Sequence, residues 1–255
     1  MPHSPSRSSL GEAFRKGVRA AWQNLPPMLA LLAAMAAVVA IYYWWPPGTE
    51  VLSRYAAWQQ TGGILATAVP LAFAGGWLSE LSVIYFQNRG RWTRNNVENM
   101  AFKWVLFFIA GAMVYEFYGW QAIWWGQGAT WSVLVPKVLV DQFGYTIVFS
   151  TPFYALMTRW QILGYSGKRL WMELNWNFVT ERMLPILVTN WMFWIPGVTL
   201  IYSMPTNLQT SLCIFATAIW GLLLPAVTRQ ERRETATPAP NPQVAGAEIL
   251  ADPVE

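Results

Sequence analysis

Long apolar runs separated by short charged segments constrain what this chain can fold into. Six runs of roughly 18 to 25 residues recur along it, and a helix needs about 20 apolar residues to cross the hydrocarbon core of a bilayer. Only 12% of the 255 residues are charged, about half the share usual in soluble domains. The sequence therefore predicts an all-α polytopic transmembrane helix bundle of about six spans, with short interfacial helices.

The apolar runs define a central transmembrane domain at residues 28–228. A basic interfacial segment precedes it at residues 1–27, and a tail follows at residues 229–255. The predicted spans, in chain order, are 28–45, 62–86, 104–125, 133–157, 184–204 and 208–227.

The basic residues alternate between the two sides of this six-span arrangement. Fifteen of the 17 Lys and Arg residues fall in the termini and in the loops after spans 2 and 4, and the other two are Arg54 and Lys137. Positively charged loops mark the cytoplasmic side of membrane proteins. We therefore expect both termini on the positive, cytoplasmic or matrix-like side; bacterial inner membranes and organelle membranes both fit.

The sequence offers little for catalysis, metal binding or nucleic-acid binding. The chain has one cysteine, Cys213, and one histidine, His3, so neither an intrachain disulfide nor a histidine-based metal site can form. The cations are spread among the loops rather than gathered in one patch. We predict no enzyme activity, catalytic residue, metal, cofactor or nucleic-acid partner.

The basic N-terminal segment has helical periodicity. Leu10, Phe14 and Val18 recur at helical spacing, with Arg15 and Arg19 on the other face. This pattern is typical of a helix lying in the membrane interface. A mitochondrial presequence has a similar composition and stays open as the alternative.

A second interfacial helix is predicted between spans 4 and 5. Leu170, Leu174 and Phe178 form a four-residue stripe there, beside Trp171. The tail at 229–255 is rich in Pro and Ala, ends acidic and has no apolar periodicity, which predicts disorder.

Polar residues inside the spans are the candidate functional residues. A charged group at the centre of a membrane helix costs about 2.5–3.5 kcal/mol on insertion scales, so its presence needs a reason. The candidate pore-lining or buried polar residues are Glu80, Glu116, Lys137, Asp141, Gln142 and Asn190.

A stripe of small residues leads to the first of these. Ala68, Ala72 and Gly76 precede Glu80 at intervals of four, and small residues let another helix approach closely. We therefore expect Glu80 to face the bundle, either in an interhelical hydrogen bond or in a solvated pathway.

Helix rise, about 1.5 Å per residue, gives each polar group a depth. Glu80 and Asn190 are predicted to form one layer near the positive side. Glu116, Lys137 and Asp141 are predicted to form a second, as one buried cluster near the opposite side. Such a cluster could bind a cation or act as a gate.

Two stretches in the second half of the chain, PKVLVDQFGYTIVFSTPFY and TNWMFWIP, carry a recognisable pattern. The first has a Lys-x-x-x-Asp-Gln segment, and the second has an Asn-aromatic-x-x-Trp-Pro region with Ile195 inserted before the proline. Through these stretches the chain resembles the Mpv-seventeen / twenty-two-kilodalton peroxisomal membrane protein family. The matching residues are Lys137, Asp141, Gln142, Pro152, Asn190, Trp191, Trp194, Pro205 and Trp220. The resemblance implies a small multispanning protein with a pore-like role.

Two functions follow as predictions. The first is a channel, or a solute-permeation and membrane-homeostasis protein, with the bilayer and small solutes or ions as partners. The alternative is a structural or assembly factor whose polar groups only hold helices together. The sequence leaves the solute and the oligomeric state open.

Overall fold

The computed structural model describes residues 10–23, 25–86 and 90–218. Over these ranges the chain forms eight helices and no strand, which confirms the all-α class. The predicted tail and Trp220 lie outside the described residues. The helices are α1 Leu10–Gln23, α2 Leu25–Trp44, α3 46–86, α4 Arg94–Trp125, α5 Trp131–Ile162, α6 Gly167–Glu173, α7 Trp176–Ser203 and α8 206–218.

Three of the long helices contain wider, π-helical turns. In α3 these turns cover Phe73–Leu78, in α5 they cover Val140–Ser150, and in α7 they cover Val179–Met183. Turns of this kind are rare and occur frequently at functional sites. The stretch in α5 contains Asp141 and Gln142.

Four helices of the described chain are long and apolar enough to cross a membrane: Pro46–Leu81 in α3, and all of α4, α5 and α7. The prediction of about six spans is not confirmed. The apolar part of α2, Met28–Trp44, is shorter than these four. The last predicted span is described only as far as residue 218.

Gly63 divides α3 into two parts. Its backbone has φ 55° and ψ −140°, a conformation that favours glycine because a Cβ would clash. A helical segment at 46–62 precedes the break, and a second helical segment at 64–86 follows it. The predicted start of the second span near residue 62 thus coincides with this break.

Contacts between helix termini define two ends of the bundle. At one end, Lys103 near the start of α4 meets Glu80 near the end of α3, and Gln161 of α5 bonds Asn99 of α4. Most of the described cations lie here, so we call it the basic end. The opposite end is called the far end, and there Gln121 of α4 bonds the backbone of α5.

The second helix runs alongside α7 in the same direction. The Tyr43 hydroxyl donates to the Ser203 carbonyl across 2.8 Å at the far end. Met35 and Ile201 are fully buried in one apolar cluster, which also takes in Leu208 of α8. Helices α2, α7 and α8 therefore share the main apolar core.

The predicted small-residue stripe faces α4. A Cβ on Gly76 would lie 2.8 Å from both the Cα and the N of Trp104, and one on Gly111 would lie 2.7 Å from the Cα of Ala68. Ala68 and Ala72 are fully buried. Close approach of the two backbones is the property that small residues provide.

The N-terminal helix forms as predicted, and it packs on the bundle through a face of small residues. The residues buried against the bundle are Ala13, Gly17 and Ala21, whereas Leu10 and Phe14 are at least half exposed. Small residues allow the close contact with α7, so the large apolar residues remain at the surface.

The second predicted interfacial helix is broken. Helix α6 ends at Glu173, and Leu174 leaves the helical conformation with ψ 87°. The Asn175 side chain then accepts a hydrogen bond from the Phe178 amide and so caps α7. Phe178 therefore belongs to α7, where it is buried.

Candidate functional site: a polar cavity inside the bundle

A cavity of about 70 Å³ lies among α4, α5, α7 and α8. Its volume suffices for at least two water molecules, since each takes about 30 Å³ in the liquid. Its polar lining comes from all four helices. The residues used below are Tyr118, Asp141, Gln142, Asn190, Trp194 and Cys213. We call it the inner cavity.

Asp141 is the acidic group of the inner cavity. The Tyr202 hydroxyl donates to its Oδ2 across 2.5 Å, and the Gln142 amide donates to its Oδ1 across 2.9 Å. Only 5% of Asp141 is exposed. Because a buried carboxylate needs hydrogen-bond donors, these two side chains hold it in place.

Gln142 combines two hydrogen bonds with one unpaired acceptor. Its amide nitrogen bonds Asp141, and its backbone carbonyl accepts a 3.0 Å bond from the Trp191 indole. Its Oε1 is buried and accepts no bond from any described residue. Asp141 and Gln142 both line the inner cavity, and the amide oxygen of Gln142 has free acceptor capacity.

Lys137 lies one turn before Asp141, but the two do not form an ion pair. Its Nζ lies 5.9 Å from the centre of the Tyr202 ring and has no hydrogen-bond partner among the described residues. The lysine is 1% exposed. The wider helical turns begin at Val140 and change the register between the two side chains.

Gln121 and Tyr202 complete this group, and the sequence prediction missed both. The Gln121 amide donates to the Lys137 carbonyl across 3.0 Å and to the Tyr202 hydroxyl across 3.3 Å. Gln121 is fully buried. A glutamine inside an apolar run was the available signal, whereas Tyr202 resembles any aromatic residue near a span end.

Glu116 does not belong to the cluster that the sequence predicted with Lys137 and Asp141. It is exposed and lines a separate, open cavity of about 360 Å³ beside Gln59 and Gln60. Helix rise gives the depth of Glu116 along the bundle, but it does not give the side of α4 on which the residue lies. Glu116 and Gln121 are five residues apart, and at 3.6 residues per turn they point about 140° apart around α4.

Two open cavities at the far end share residues. The second, of about 380 Å³, shares Gln60, Thr206 and Asn207 with the cavity beside Glu116. We call the pair the vestibule. Tyr118 lines both the vestibule and the inner cavity, and it is 6% exposed. Its side chain therefore forms part of the wall between them.

Glu80 belongs to a different polar group at the basic end. Lys103 donates to its carboxylate across 2.6 Å, and Asn96 does so across 2.9 Å. Asn190, predicted to lie in the same layer as Glu80, lines the inner cavity and makes no contact with this group that the structure records.

Most residues that carry the family resemblance meet around the inner cavity. Asp141, Gln142, Asn190 and Trp194 line it, and Trp191 bonds the backbone of Gln142. Pro205 instead lies between α7 and α8 and lines the vestibule. The sequence spacing alone had not linked these two segments in space.

Within the described residues, no group of three or more His, Cys, Asp or Glu residues could hold a metal ion. No family model, curated protein or solved structure matches this chain. The site must therefore be interpreted from its own geometry.

Proposed function

We propose that this chain is a multi-pass membrane protein through which small polar solutes pass, with the inner cavity as their binding site. The observation that carries the proposal is a cavity within a bundle of apolar helices whose lining includes Asp141 and several other polar side chains, with Tyr118 between it and an open vestibule. A continuous apolar core would bury the same helices without a polar cavity.

The depth of the acidic group supports a role in passage. Asp141 lies ten residues into α5 from Trp131, which corresponds to about 15 Å of helix. The hydrocarbon core of a bilayer is about 30 Å thick. An ionisable residue near the midplane of a membrane bundle is typical of substrate and ion pathways.

The chemistry of the lining suggests the class of solute. The Asp141 carboxylate and the Gln142 Oε1 are both hydrogen-bond acceptors. We therefore propose solutes that carry hydrogen-bond donors, either small cations or small neutral polar molecules. The buried ammonium of Lys137, at the far-end side of Asp141, would disfavour a large cationic flux.

We also propose the six-span topology with both termini on the positive side. The direction of α2, parallel to α7, supports it, because a parallel neighbour crosses the bundle from the same end. The gathering of cations at the basic end supports it as well. Membership in the Mpv-seventeen family remains part of this proposal.

A flux assay tests the function. The purified protein would be reconstituted in liposomes, and uptake of small cations and small polyols would be measured for the wild type and for Asp141→Asn. We expect flux above that of empty liposomes and a change of about tenfold in the variant, equivalent to 1.4 kcal/mol. Glu98→Gln, at an exposed position at the basic end, is the matched control.

A structural or assembly role is the second candidate, and the Glu80 group favours it. That carboxylate is paired with Lys103 and Asn96 and ties α3 to α4. If the wild type gives no flux for either solute class, while Asp141→Asn lowers thermal stability, the structural role replaces the transport proposal.

A further inference from the structure

The first helix presents an unusual surface to its surroundings. Leu10 is 57% exposed, Phe14 50% and Trp22 62%. On the same helix, Arg15, Lys16 and Arg19 are exposed. Side chains of both kinds therefore point away from the protein rather than into it.

This helix is fixed to the bundle and is not a detachable anchor. A Cβ on Gly17 would lie 2.7 Å from the Cβ of Val188 and 3.1 Å from backbone atoms of Pro185. The Thr189 hydroxyl also donates to the Gly17 carbonyl across 3.3 Å. The exposed cations of α1 are therefore held at a defined place beside the first half of α7.

Helix α6 adds a second patch of the same kind at the basic end. Lys168 and Arg169 are exposed, and Trp171 is 77% exposed. Glu173, the acidic residue of this helix, is bound by Arg159 through two hydrogen bonds of 2.6 and 2.8 Å. Because Glu173 pairs with Arg159 of α5, it is not the ion-pair partner of Lys168 or Arg169, and α6 has no other acidic residue.

Cations outnumber carboxylates on both helices. Helix α1 carries Arg15, Lys16 and Arg19 against one acidic residue, and α6 carries Lys168 and Arg169 against one. Glu12 of α1 and Glu181 at the start of α7 each take part in an interaction within the protein. The net charge of each of the two helices is therefore positive.

We propose that α1 and α6 form a docking surface for anionic phospholipid headgroups. Exposed aromatic rings such as Trp22 and Trp171 favour the level of the headgroups. Cations beside them attract anionic lipids, and guanidinium groups bind phosphate in a bidentate manner. Charge complementarity thus selects anionic over zwitterionic lipid as the occupant.

Lipid binding to the full chain in detergent tests this surface. Dioleoyl phosphatidylglycerol and dioleoyl phosphatidylcholine would be titrated separately, and retained lipids counted by native mass spectrometry. The variant Arg15→Gln/Lys16→Gln/Arg19→Gln removes the α1 cations. Arg54→Gln/Arg91→Gln/Arg94→Gln removes the same charge from exposed positions on neither helix.

We expect the wild type to prefer phosphatidylglycerol and the α1 variant to bind it at least about tenfold more weakly, since each surface cation contributes to the attraction. The control triple should retain binding within about twofold. Equal binding of both lipids by the wild type, or an equal loss in both triples, would overturn the proposal.

A second variant keeps the proposal testable if the α1 triple does not fold. Lys168→Gln/Arg169→Gln changes only exposed residues of α6 and should weaken phosphatidylglycerol binding about fivefold, with an unchanged melting temperature in lipid-free detergent. Unchanged lipid binding in this variant would remove α6 from the surface and contradict the proposal. Millimolar inorganic phosphate should not compete, because the surface binds lipid rather than free anion.

Discussion

Two lysines inside the bundle, half-buried Lys103 and fully buried Lys137, differ in their partners, and this difference predicts opposite effects of the same substitution. The ammonium of Lys103 pairs with Glu80, whereas that of Lys137 has no hydrogen-bond partner among the described residues. Lys103→Met should therefore destabilise by about 3 kcal/mol, because it leaves a buried carboxylate unpaired. Lys137→Met should be neutral or stabilise by about 1 kcal/mol, because it removes an unpaired buried charge.

Thermal unfolding of both variants in detergent measures this difference. The cluster predicted from the sequence, with Lys137 beside Glu116 and Asp141, would instead make Lys137→Met strongly destabilising, because the change would leave two buried carboxylates unpaired. The structure assigns Tyr202 and Gln142 to Asp141 instead. A larger loss of stability for Lys137→Met than for Lys103→Met would show that the sequence-based cluster was correct after all.

The bond between Tyr202 and Asp141 gives a second prediction at this scale. Tyr202→Phe removes the donor to a buried carboxylate and should cost about 1–3 kcal/mol. In the Asp141→Asn background the same change should cost less, so a double-mutant cycle should give a coupling energy of about 1 kcal/mol. Additive effects in the cycle would mean that the hydroxyl does not stabilise this carboxylate.

Among the helices, the contact of α3 with α4 predicts a strict limit on side-chain size at Gly76. Gly76→Ala would place a Cβ 2.8 Å from backbone atoms of Trp104 and should destabilise by about 1–3 kcal/mol through overpacking. Gly119, on α4, has open space around its Cβ position. Gly119→Ala should therefore be neutral or slightly stabilising in the same unfolding assay. Equal effects of the two changes would refute the close contact.

The tie between α5 and α6 predicts a pH dependence. The hydrogen bonds from Arg159 hold the pKa of Glu173 below its usual range. A depressed carboxyl pKa stabilises the fold above the unfolded value of about 4.3, and this stability is lost as pH falls through the folded value. Glu173→Gln should therefore lower the melting temperature at pH 7 but not near pH 3. A difference that persists at low pH would exclude the ion pair as its cause.

At the scale of the whole molecule, the sequence predicted the helical class, the start of a helical segment near residue 62 and the small-residue stripe. These features follow from local rules of length, periodicity and side-chain size. The partners of Glu116 and Asn190 could not be predicted from the sequence. Helix rise gives the depth of a residue, but not the direction in which its side chain points around the helix axis. The inner cavity was also hidden, since it depends on side chains of different helices, such as Tyr118 of α4 and Asp141 of α5, facing the same space.

The distribution of charge predicts the topology of the whole chain. Reporter fusions at residue 2 and after Arg233 should both respond from the side that carries the basic loops. The direction of α2, which reaches the far end beside Ser203, supports the same arrangement. Reporters on opposite faces of the membrane would mean an odd number of crossings and would rule out six spans.

Passage of solutes through this protein requires that water and small solutes reach the inner cavity from the vestibule. Cys213 is the one cysteine of the chain and lines this cavity, so it reports on access without any substitution. A small, water-soluble methanethiosulfonate ammonium reagent added to reconstituted liposomes should modify Cys213, and faster in Tyr118→Ala, with Cys213→Ser as the blank. If Cys213 is modified only after denaturation, and at the same rate in the wild type and in Tyr118→Ala, then solutes do not reach the inner cavity from the vestibule.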